Sequence, residues 1–407
     1  MHTPSHDDPV SYRRLLLDQR FALILLVTAT ATLSSVFAPA LPGISAGLGV
    51  REGRVGYLIT AFKLPSILVI PLAAGIADIY GRRAVVIPSL LLFVGAGATM
   101  FFLQSFTTVL VFGLIVGVGG AALYPMTVTL LGDFFDGEWN SAGQGIRVAV
   151  IGLGIVGVPA LTGYLAEINW NYPFLLFLGG LPVVILIYLF LGEPVDTLER
   201  GNSLTATVSE YVTAVKHEVK SPTLAVLLCS GFIRGFSRYA LITFVPLFAV
   251  GVLGATIFEA GLLISLQGTV YLIVSPFAGL IVSRFARKWI LFTSLGFCGA
   301  MLIALPFTQS LLGAGIVVAL HTLGDAMFDP VNKGTVTNMA HKEYRAGIVN
   351  SLYVLKRVGQ ASAPAAFGFL LTVYGYFELF LTAGVVVGVY LVLFMAVFTY
   401  QPATSVD

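Results

Sequence analysis

The chain has 407 residues, of which 57% are hydrophobic and 10% are charged, whereas about 25% of residues are charged in soluble domains. Because so few charged side chains cannot cover a water-soluble globule, the composition excludes a soluble protein and indicates an integral membrane protein. The formal net charge of +2 gives no indication of a nucleic-acid partner, and the expected surroundings are a lipid bilayer.

Apolar stretches of about 20 residues, the length that crosses a hydrocarbon core of about 30 Å as a helix, recur along the whole sequence. The alternating pattern of a transmembrane β-barrel is absent from the sequence. The predicted fold class is therefore an all-α membrane protein with twelve transmembrane helices, at residues 20–42, 54–77, 84–104, 107–131, 142–166, 172–192, 222–250, 255–283, 288–306, 310–337, 346–373 and 376–400.

Lysine and arginine residues outside these stretches, or at their first positions, fall almost entirely on one side of the predicted membrane. If the N-terminus is cytoplasmic, the outer loops contain only Arg51 and Arg54, and the inner side contains Arg13, Arg14, Arg20, Arg82, Arg83, Arg200, Lys216, Lys220, Arg284, Arg287, Lys288, Lys342 and Arg345. Basic residues concentrate on the cytoplasmic side of membrane proteins, so both termini are predicted to be cytoplasmic. The expected location is the prokaryotic plasma (inner) membrane.

Two copies of one unit follow each other in the sequence. A constant shift of 205 residues aligns glycine, proline and arginine residues without a gap: Gly56 with Gly261, Pro71 with Pro276, Arg82 with Arg287, Pro125 with Pro330 and Gly154 with Gly359. Such matches at one shift indicate an internal repeat. The predicted organisation is a cytoplasmic tail 1–19, an N-terminal six-helix bundle 20–192, a cytoplasmic linker with an amphipathic helix 193–221, a C-terminal six-helix bundle 222–400 and a tail 401–407. The linker is expected to act as a tether or, alternatively, in regulation or lipid sensing.

The loop after the second predicted helix carries the sequence GIADIYGRR, which begins at Gly75. Gly81 permits a tight turn, and Asp78 is expected to accept hydrogen bonds from backbone amides at a helix N-terminus. Arg82 and Arg83 favour the cytoplasmic side. A weaker copy, LIVSRFARK, follows the eighth predicted helix and has a serine in place of the aspartate.

This loop resembles the signature G-x-L-A-D-x-x-G-R-R/K of the major facilitator superfamily, and the similarity extends along most of the chain. The sequence GIVGVPALTG, at residues 154–163, resembles a pattern of the superfamily's proton-coupled drug antiporters, with one residue inserted. The resemblance implies two six-helix bundles that move about a central site lined by the first, fourth, seventh and tenth helices. It also implies a conformational latch that joins the halves in the outward-facing state, formed by Gly75, Asp78, Gly81, Arg82 and Arg83.

Ionisable side chains in the middle of transmembrane helices cost about 2.5–3.5 kcal/mol on insertion scales and are functional candidates. Arg234 and Arg238 lie four residues apart on the seventh predicted helix, while His321, Asp325 and Asp329 share one face of the tenth. At about 1.5 Å per residue, Arg234 and Asp325 have similar depths. We therefore predict that these two interact, with Arg238 and His321 one turn further out.

A carboxylate that loses its arginine partner in one conformation has a proton affinity that depends on conformation, as proton-coupled transport requires. We predict that Asp325 is the first proton carrier and Asp329 the second, with His321 as a further candidate. The alternatives are a permanent structural ion pair, a His321 that only forms hydrogen bonds in the core, and a metal site, for which one helix face supplies few ligands. Neither a metal nor a cofactor is expected.

Basic residues outnumber acidic ones at mid-span, where Asp325 and Asp329 face five bases: Lys63, Arg234, Arg238, Lys356 and Arg357. If most of these bases face the cavity, the site favours an anionic or strongly polar substrate. Lys356 and Arg357 are adjacent and cannot both point the same way on a helix. The predicted substrate-binding residues are Arg234, Arg238, Lys63, Arg357 and Tyr124. Arg147, near the start of the fifth helix, is expected to join the latch by pairing with Asp133, Asp136 or Asp78.

The resulting prediction is a monomeric secondary active transporter, not an enzyme, which exports a small organic drug or metabolite in exchange for protons by alternating access. An organic-anion carrier with a basic cavity is the main alternative. An intramembrane enzyme that uses His321 and Asp325 as acid and base, and a sensor that binds a ligand without transport, are further alternatives. No Walker sequence is present, so an ion gradient rather than ATP is the expected energy source.

Overall fold

The structure is a computed structural model, and it describes residues 12–194, 222–341 and 345–400. Every regular element in these ranges is helical, in agreement with the predicted fold class. A short helix, Tyr12–Leu17, precedes the first long helix and buries Leu15, where the sequence predicted only a tail. The predicted amphipathic helix of the linker and the tail 401–407 lie outside the described residues.

Twelve long helices follow one another in the described ranges. They are α1 (Gln19–Leu48), α2 (Glu52–Tyr80), α3 (Arg83–Phe102), α4 (Phe106–Phe134), α5 (Gly137–Ile168), α6 (Tyr172–Phe190), α7 (Pro222–Gly251), α8 (Ile257–Val282), α9 (Arg287–Phe307), α10 (Leu311–Met339), α11 (Arg345–Val373) and α12 (Tyr376–Phe398). We refer to α1–α6 as the N-terminal half and to α7–α12 as the C-terminal half.

All of these helices except α11 are apolar enough by composition to cross a membrane. With 29 residues, α11 has the length for a span at about 1.5 Å per residue. Lys356 and Arg357 near its middle lower its mean hydropathy, and it is therefore the helix that composition alone does not identify. The twelfth span stays a prediction.

Helix α2 is interrupted in the middle of its span. In α2, the segments Tyr57–Lys63 and Ser66–Tyr80 are separated by a turn that contains Pro65. Pro65 has no N–H group to donate within a helix, and the Ser66 hydroxyl donates a 2.6 Å hydrogen bond to the Lys63 carbonyl oxygen. The Lys63 side chain therefore projects from the end of a helical segment deep in the span.

The two halves approach each other most closely through α5 and α8 and through α2 and α11. A Cβ atom on Gly163 of α5 would lie 2.7 Å from the Ile257 carbonyl oxygen of α8, and Gly261 of α8 faces the same part of α5. Gly53 of α2 lies against the backbone of Gly368 of α11. Small residues permit such close contact between helices. All four glycines lie toward one end of the molecule, where α1 joins α2 and α7 joins α8, and we call this the outer end.

Two hydrogen bonds also join the halves at the outer end. The Tyr376 hydroxyl, at the start of α12, donates to Glu52 Oε2 at the start of α2 over 2.6 Å. The Phe258 amide, in the first turn of α8, donates to Glu167 Oε2 at the end of α5 over 3.0 Å. Across the described residues, no ion pair links one half to the other. The structure is therefore closed at the outer end by close helix contacts at glycines and by hydrogen bonds to two carboxylates, Glu52 and Glu167.

Candidate functional site

A cluster of buried charged side chains lies in the middle of the C-terminal half. We call it the central ion cluster, and it consists of Arg234 and Arg238 of α7, Asp325 and Asp329 of α10, and Lys356 of α11. A spacing of four residues places both arginines on one face of α7 and both aspartates on one face of α10. Packing of these helices brings the two faces together, so that every charge in the cluster has a partner of opposite sign.

Asp325 lies at the centre of this cluster. Its Oδ1 atom lies 2.6 Å from Arg234 Nε, and its Oδ2 atom accepts a 3.2 Å hydrogen bond from Arg234 Nη2 and another bond from Arg238 Nη1. The side chains of Arg234 and Asp325 are only 5% and 4% exposed. The predicted contact between Arg234 and Asp325 is therefore confirmed. Arg238 lies one helical turn beyond Arg234 on α7, as predicted, and its long side chain reaches back to the same carboxylate.

Asp329 is the more accessible of the two acids, with a side chain that is 31% exposed. Its Oδ1 atom lies 2.7 Å from Arg234 Nη1 and 3.4 Å from Lys356 Nζ. The Tyr271 hydroxyl of α8 donates a 3.1 Å hydrogen bond to Asp329 Oδ2, and the Tyr271 ring centre lies 5.0 Å from the Arg238 guanidinium carbon. The contacts made by Lys356 and Tyr271 could not be predicted from the sequence, since they depend on which helices surround α10.

His321 lies one turn before Asp325 on α10 and is 2% exposed. Its carbonyl oxygen accepts a 3.4 Å hydrogen bond from Cys298 Sγ, and its Nε2 atom has no hydrogen-bond partner among the described residues. A side chain so enclosed exchanges protons with water less readily than the partly exposed Asp329. Of the predicted proton carriers on α10, Asp329 is therefore the one that solvent can reach.

Two predicted substrate-binding bases carry no carboxylate partner among the described residues. Lys63 Nζ lies 4.7 Å from the Phe62 ring centre and 5.3 Å from the Tyr239 ring centre. Arg357 is partly exposed on α11, which packs against α7 and α2. Arg357 and its neighbour on α11, which binds Asp329, thus point to different surroundings, as adjacent positions on a helix require.

Arg147 of α5 is a third base without a carboxylate partner in the described ranges. Its Nε atom donates a 2.9 Å hydrogen bond to Gln144 Oε1, and its Nη1 atom donates a 3.3 Å hydrogen bond to Thr127 Oγ1 of α4. The prediction that it pairs with a nearby acid is wrong, because Asp133, the acid of α4, binds another arginine. Thr127 Oγ1 in turn donates a 2.8 Å hydrogen bond to the carbonyl oxygen of Tyr124, also on α4.

The GIADIYGRR loop forms a second ionic site at the end of α2, whose last turns contain Gly75 and Asp78. Gly81 adopts a φ of 94°, a conformation that glycine tolerates without a steric penalty. Arg82 Nη1 lies 2.5 Å from Asp78 Oδ1, and Arg82 Nε lies 2.8 Å from Asp133 Oδ2 of α4. Burial alone would lower the pKa of Arg82, but hydrogen bonds to Asp133 and Asp78 raise it above the ordinary value. The guanidinium group therefore stays charged.

Glu193, three residues after α6, binds the N-terminus of α3. Its Oε1 atom accepts a hydrogen bond from the Arg82 amide, and its Oε2 atom accepts a 3.0 Å hydrogen bond from the Arg83 amide. The prediction that Asp78 binds helix amides is wrong in this structure, because Asp78 faces the Arg82 guanidinium instead. Arg83 Nη2 donates a 2.8 Å hydrogen bond to the Tyr188 carbonyl oxygen. These contacts all lie within the N-terminal half, so the loop bonds described here do not link the two halves.

Long apolar helices in two halves, closed against each other at one end and carrying ion pairs at mid-span, define a multi-pass membrane transporter. The family profile of the Major Facilitator Superfamily matches residues 23–248 and 227–407, and the chain belongs to this superfamily. The superfamily and the matched relatives are secondary transporters rather than enzymes, which removes the intramembrane enzyme from the alternatives.

Sequence relatives include exporters. The multidrug transporter protein MdtP of Bacillus subtilis is 24% identical over 401 residues, which cover 82% of this chain and 73% of that protein. The bacillibactin exporter of the same species is 30% identical over 148 residues, and the match spans 35% of this chain and 37% of the exporter. The crystal structure of the nucleoside transporter NupG superimposes with a TM-score of 0.80 at 12% identity, over 94% of this chain and 100% of that chain. At this low identity the structural likeness shows the fold alone.

Proposed function

We propose that the protein exports a small organic solute from the cytoplasm in exchange for protons by alternating access. The observation that carries this proposal is the pair of carboxylates, Asp325 and Asp329, which bases hold at mid-span in a chain related to a multidrug transporter and a bacillibactin exporter. The proposal includes a monomer in a bacterial plasma membrane with both termini in the cytoplasm, driven by the proton gradient without a cofactor.

The closed outer end supports assignment of this structure to the inward-facing state of the transport cycle. With the termini in the cytoplasm, as the distribution of lysine and arginine favours, the outer end faces the outside and this state faces inward. An antiporter releases its proton to the cytoplasm in that state. Asp325 is bonded there to both Arg234 and Arg238, and nearby opposite charges favour the ionised form of a carboxylate. Proton release in this state therefore requires that these acids are ionised and paired with bases.

Proton binding in the other state needs the pairs to loosen, and the location of the cluster limits how this happens. All of its members belong to the C-terminal half, so rigid rocking of one half against the other does not separate them. Bending within α10 does, because Pro330 lies directly after Asp329 and a proline interrupts helical hydrogen bonding and permits a kink. Such bending moves Asp329 away from Lys356 and Arg234. Asp329 is accordingly the point of proton entry, and Asp325 is the deeper site.

The loop residues Gly75, Asp78, Gly81, Arg82 and Arg83 take the role of the latch in this proposal. In the inward-facing state the Arg82 contacts stay within the N-terminal half, and Asp78 remains 64% exposed. An exposed carboxylate can bind the C-terminal half when the inner ends of the helices come together. The latch is then open in this state and closed in the opposite one.

Proton movement in proteoliposomes tests the coupling. Vesicles that contain the purified protein and the trapped pH dye pyranine receive naphthalene-1-sulfonate or N,N,N-trimethyl-1-naphthylammonium, two fixed-charge solutes with the same ring. We expect solute-dependent proton movement by the wild type and its loss in Asp329→Asn. The variant that combines Asp325→Asn with Arg238→Gln removes one charge of each sign, and we expect it to transport solute without protons.

Two outcomes would contradict the proposal. Solute flux that ignores an imposed pH gradient in the wild type would exclude proton coupling. Proton movement that persists in both aspartate variants would make the central ion cluster a permanent structural feature, which is the alternative that the sequence left open. The charge of the solute is a separate matter, because it depends on the bases outside the cluster.

A further inference from the structure

We infer that the protein binds an aromatic organic anion between its halves, held by Lys63, Arg147 and Arg357 together with the rings of Tyr124 and Tyr239. We call these five residues the anion site. The inference deepens the proposed function, because it names the substrate class of the same transport cavity, and it rests on that function.

The anion site is assembled from both halves. Lys63 of α2, Arg147 of α5 and Tyr124 of α4 come from the N-terminal half, whereas Arg357 of α11 and Tyr239 of α7 come from the C-terminal half. Tyr239 lies 5.3 Å from Lys63 Nζ, and α11, which carries Arg357, packs against both α7 and the Lys63 segment of α2. Arg147 Nη1 donates a 3.3 Å hydrogen bond to Thr127 Oγ1, which in turn donates to the Tyr124 carbonyl oxygen. The three bases and the two tyrosines thus lie on adjoining helices where the halves meet.

The positive charge of the anion site is not neutralised by any acid among the described residues. The two aspartates of α10 are already held by Arg234, Arg238 and Lys356. The three bases of the anion site are each partly exposed, so a solute in the cavity can reach them. Positive side chains lining a cavity with low-dielectric walls concentrate anions there, and hydrogen bonds from ammonium or guanidinium groups to an anion are stronger than neutral ones.

Aromatic surface lies directly beside these charges. Lys63 is already placed over the Phe62 and Tyr239 rings, and this cation–π contact positions the ammonium group before any ligand arrives. An aromatic carboxylate or sulfonate can use the bases through its charged group and the tyrosines through its ring. A cationic aromatic solute would meet the same rings but also three like charges, which disfavour it.

The location between the halves gives this binding a consequence for transport. An anion that touches Lys63 and Arg147 on one side and Arg357 on the other contacts both halves at once. Because the spacing between the halves changes with the direction of access, such a ligand binds the two states with different affinities. A ligand shifts a conformational equilibrium only through such a difference in affinity. The bound anion therefore stabilises one of the two states relative to the other.

Binding to purified full-length protein in detergent, without any gradient, tests the inference. Isothermal titration calorimetry with naphthalene-1-sulfonate and N,N,N-trimethyl-1-naphthylammonium compares two solutes that differ in the sign of a fixed charge. We expect the anion to bind at least about tenfold more tightly than the cation, and Lys63→Gln and Arg357→Gln each to weaken anion binding about tenfold. Lys63→Arg, which keeps the charge, should retain most of the affinity, and this controls for misfolding. Arg284→Gln removes an exposed base between α8 and α9 and should leave the affinity unchanged.

Preferential binding of the cation, binding of neither solute, or unchanged anion affinity in both glutamine variants would overturn the inference. The assay separates this inference from the proposed function, because it involves no proton movement. Anion binding without proton-coupled flux would contradict the proposed function and leave the anion site intact. Proton-coupled transport of the cation alone would contradict the anion site and leave the coupling intact.

Discussion

Arg234 and Asp325 lie 2.6 Å apart, from Nε to Oδ1, although 91 residues of sequence separate them and both are almost fully buried at mid-span. Taking two such charges out of water is costly, and their attraction offsets that cost only when the geometry is good and further hydrogen bonds are made. Arg238 and Asp329 supply those further contacts. The ion pairs therefore add little net free energy to the stability of the fold, but the loss of any one charge leaves its partners buried and uncompensated.

Replacing Asp325 by asparagine tests this dependence. The change leaves Arg238 without an acidic partner and Arg234 with only Asp329, so we expect the free energy of unfolding to fall by about 3–5 kcal/mol. Thermal unfolding of the purified protein in detergent measures the loss as a lower Tm. Asp325→Asn combined with Arg238→Gln should recover much of it, because the uncompensated charge is gone. A single variant as stable as the wild type would show that water already solvates the pair.

The bond between Glu167 and the Phe258 amide is expected to hold the outer end closed. In Glu167→Gln the charge at the N-terminus of α8 is lost, and we expect the closed state to weaken by about 0.5–1.5 kcal/mol. Spin labels on Ile168 and Val252, both more than half exposed, report the opening as a larger population of long distances. Glu138→Gln, near the other end of α5, serves as the control. An unchanged distance distribution in Glu167→Gln would show that this bond does not keep the outer end closed.

The glycine contact between α5 and α8 leaves no room for a side chain. A Cβ atom on Gly261 would lie 2.6 Å from the Pro159 carbonyl oxygen, so Gly261→Val should prevent closure of the outer end and abolish transport while the protein still folds. Flux in proteoliposomes, together with the yield of monodisperse protein, separates these effects. The matched control is Gly157→Ala on α5, where nothing lies within 4 Å of the added atom. Normal flux in Gly261→Val would mean that closure does not need this contact.

Arg82→Gln should destabilise the N-terminal half. Asp133, whose side chain is 13% exposed, would lose its charged partner, and we expect the free energy of unfolding to fall by about 1–3 kcal/mol. Because the pKa of Arg82 is raised, its contribution is fully present below the ordinary arginine pKa and is lost only as the pH rises through the higher folded value. The difference between wild type and variant should therefore be constant between about pH 7 and 9. Chemical unfolding across that range checks this, and a difference that shrinks toward pH 9 would contradict it.

The contact between Arg234 and Asp325 was predictable because helical spacing fixes which residues share a face, and counting residues from the helix ends fixes their depth. The same rules could not place Lys356 beside Asp329, since the period of one helix says nothing about which helix lies next to it. For α11 itself, the predicted bounds 346–373 match Arg345–Val373 closely, because charged residues precede this stretch and Gly375, with a positive φ, follows it.

Partners at the helix ends were harder to predict. Glu193 lies 111 residues from the Arg82 amide that it binds, and only the folded chain shows that the end of α6 lies beside the start of α3. For Arg147, the predicted partners were Asp133, Asp136 or Asp78. Asp133 instead binds Arg82, in the loop between α2 and α3. In both cases the helix positions were right and the side-chain partners depended on packing.

The central ion cluster contains three bases and two acids and belongs to one half of the molecule. When that half tilts, an excess positive charge shifts within the electric field across the membrane, where one elementary charge gains or loses about 2.3 kcal/mol per 100 mV if it crosses completely. The resting voltage of the cell therefore acts on the moving protein as well as on its cargo. An interior-negative potential pulls this charge toward the cytoplasm and biases the empty carrier even when no solute is bound.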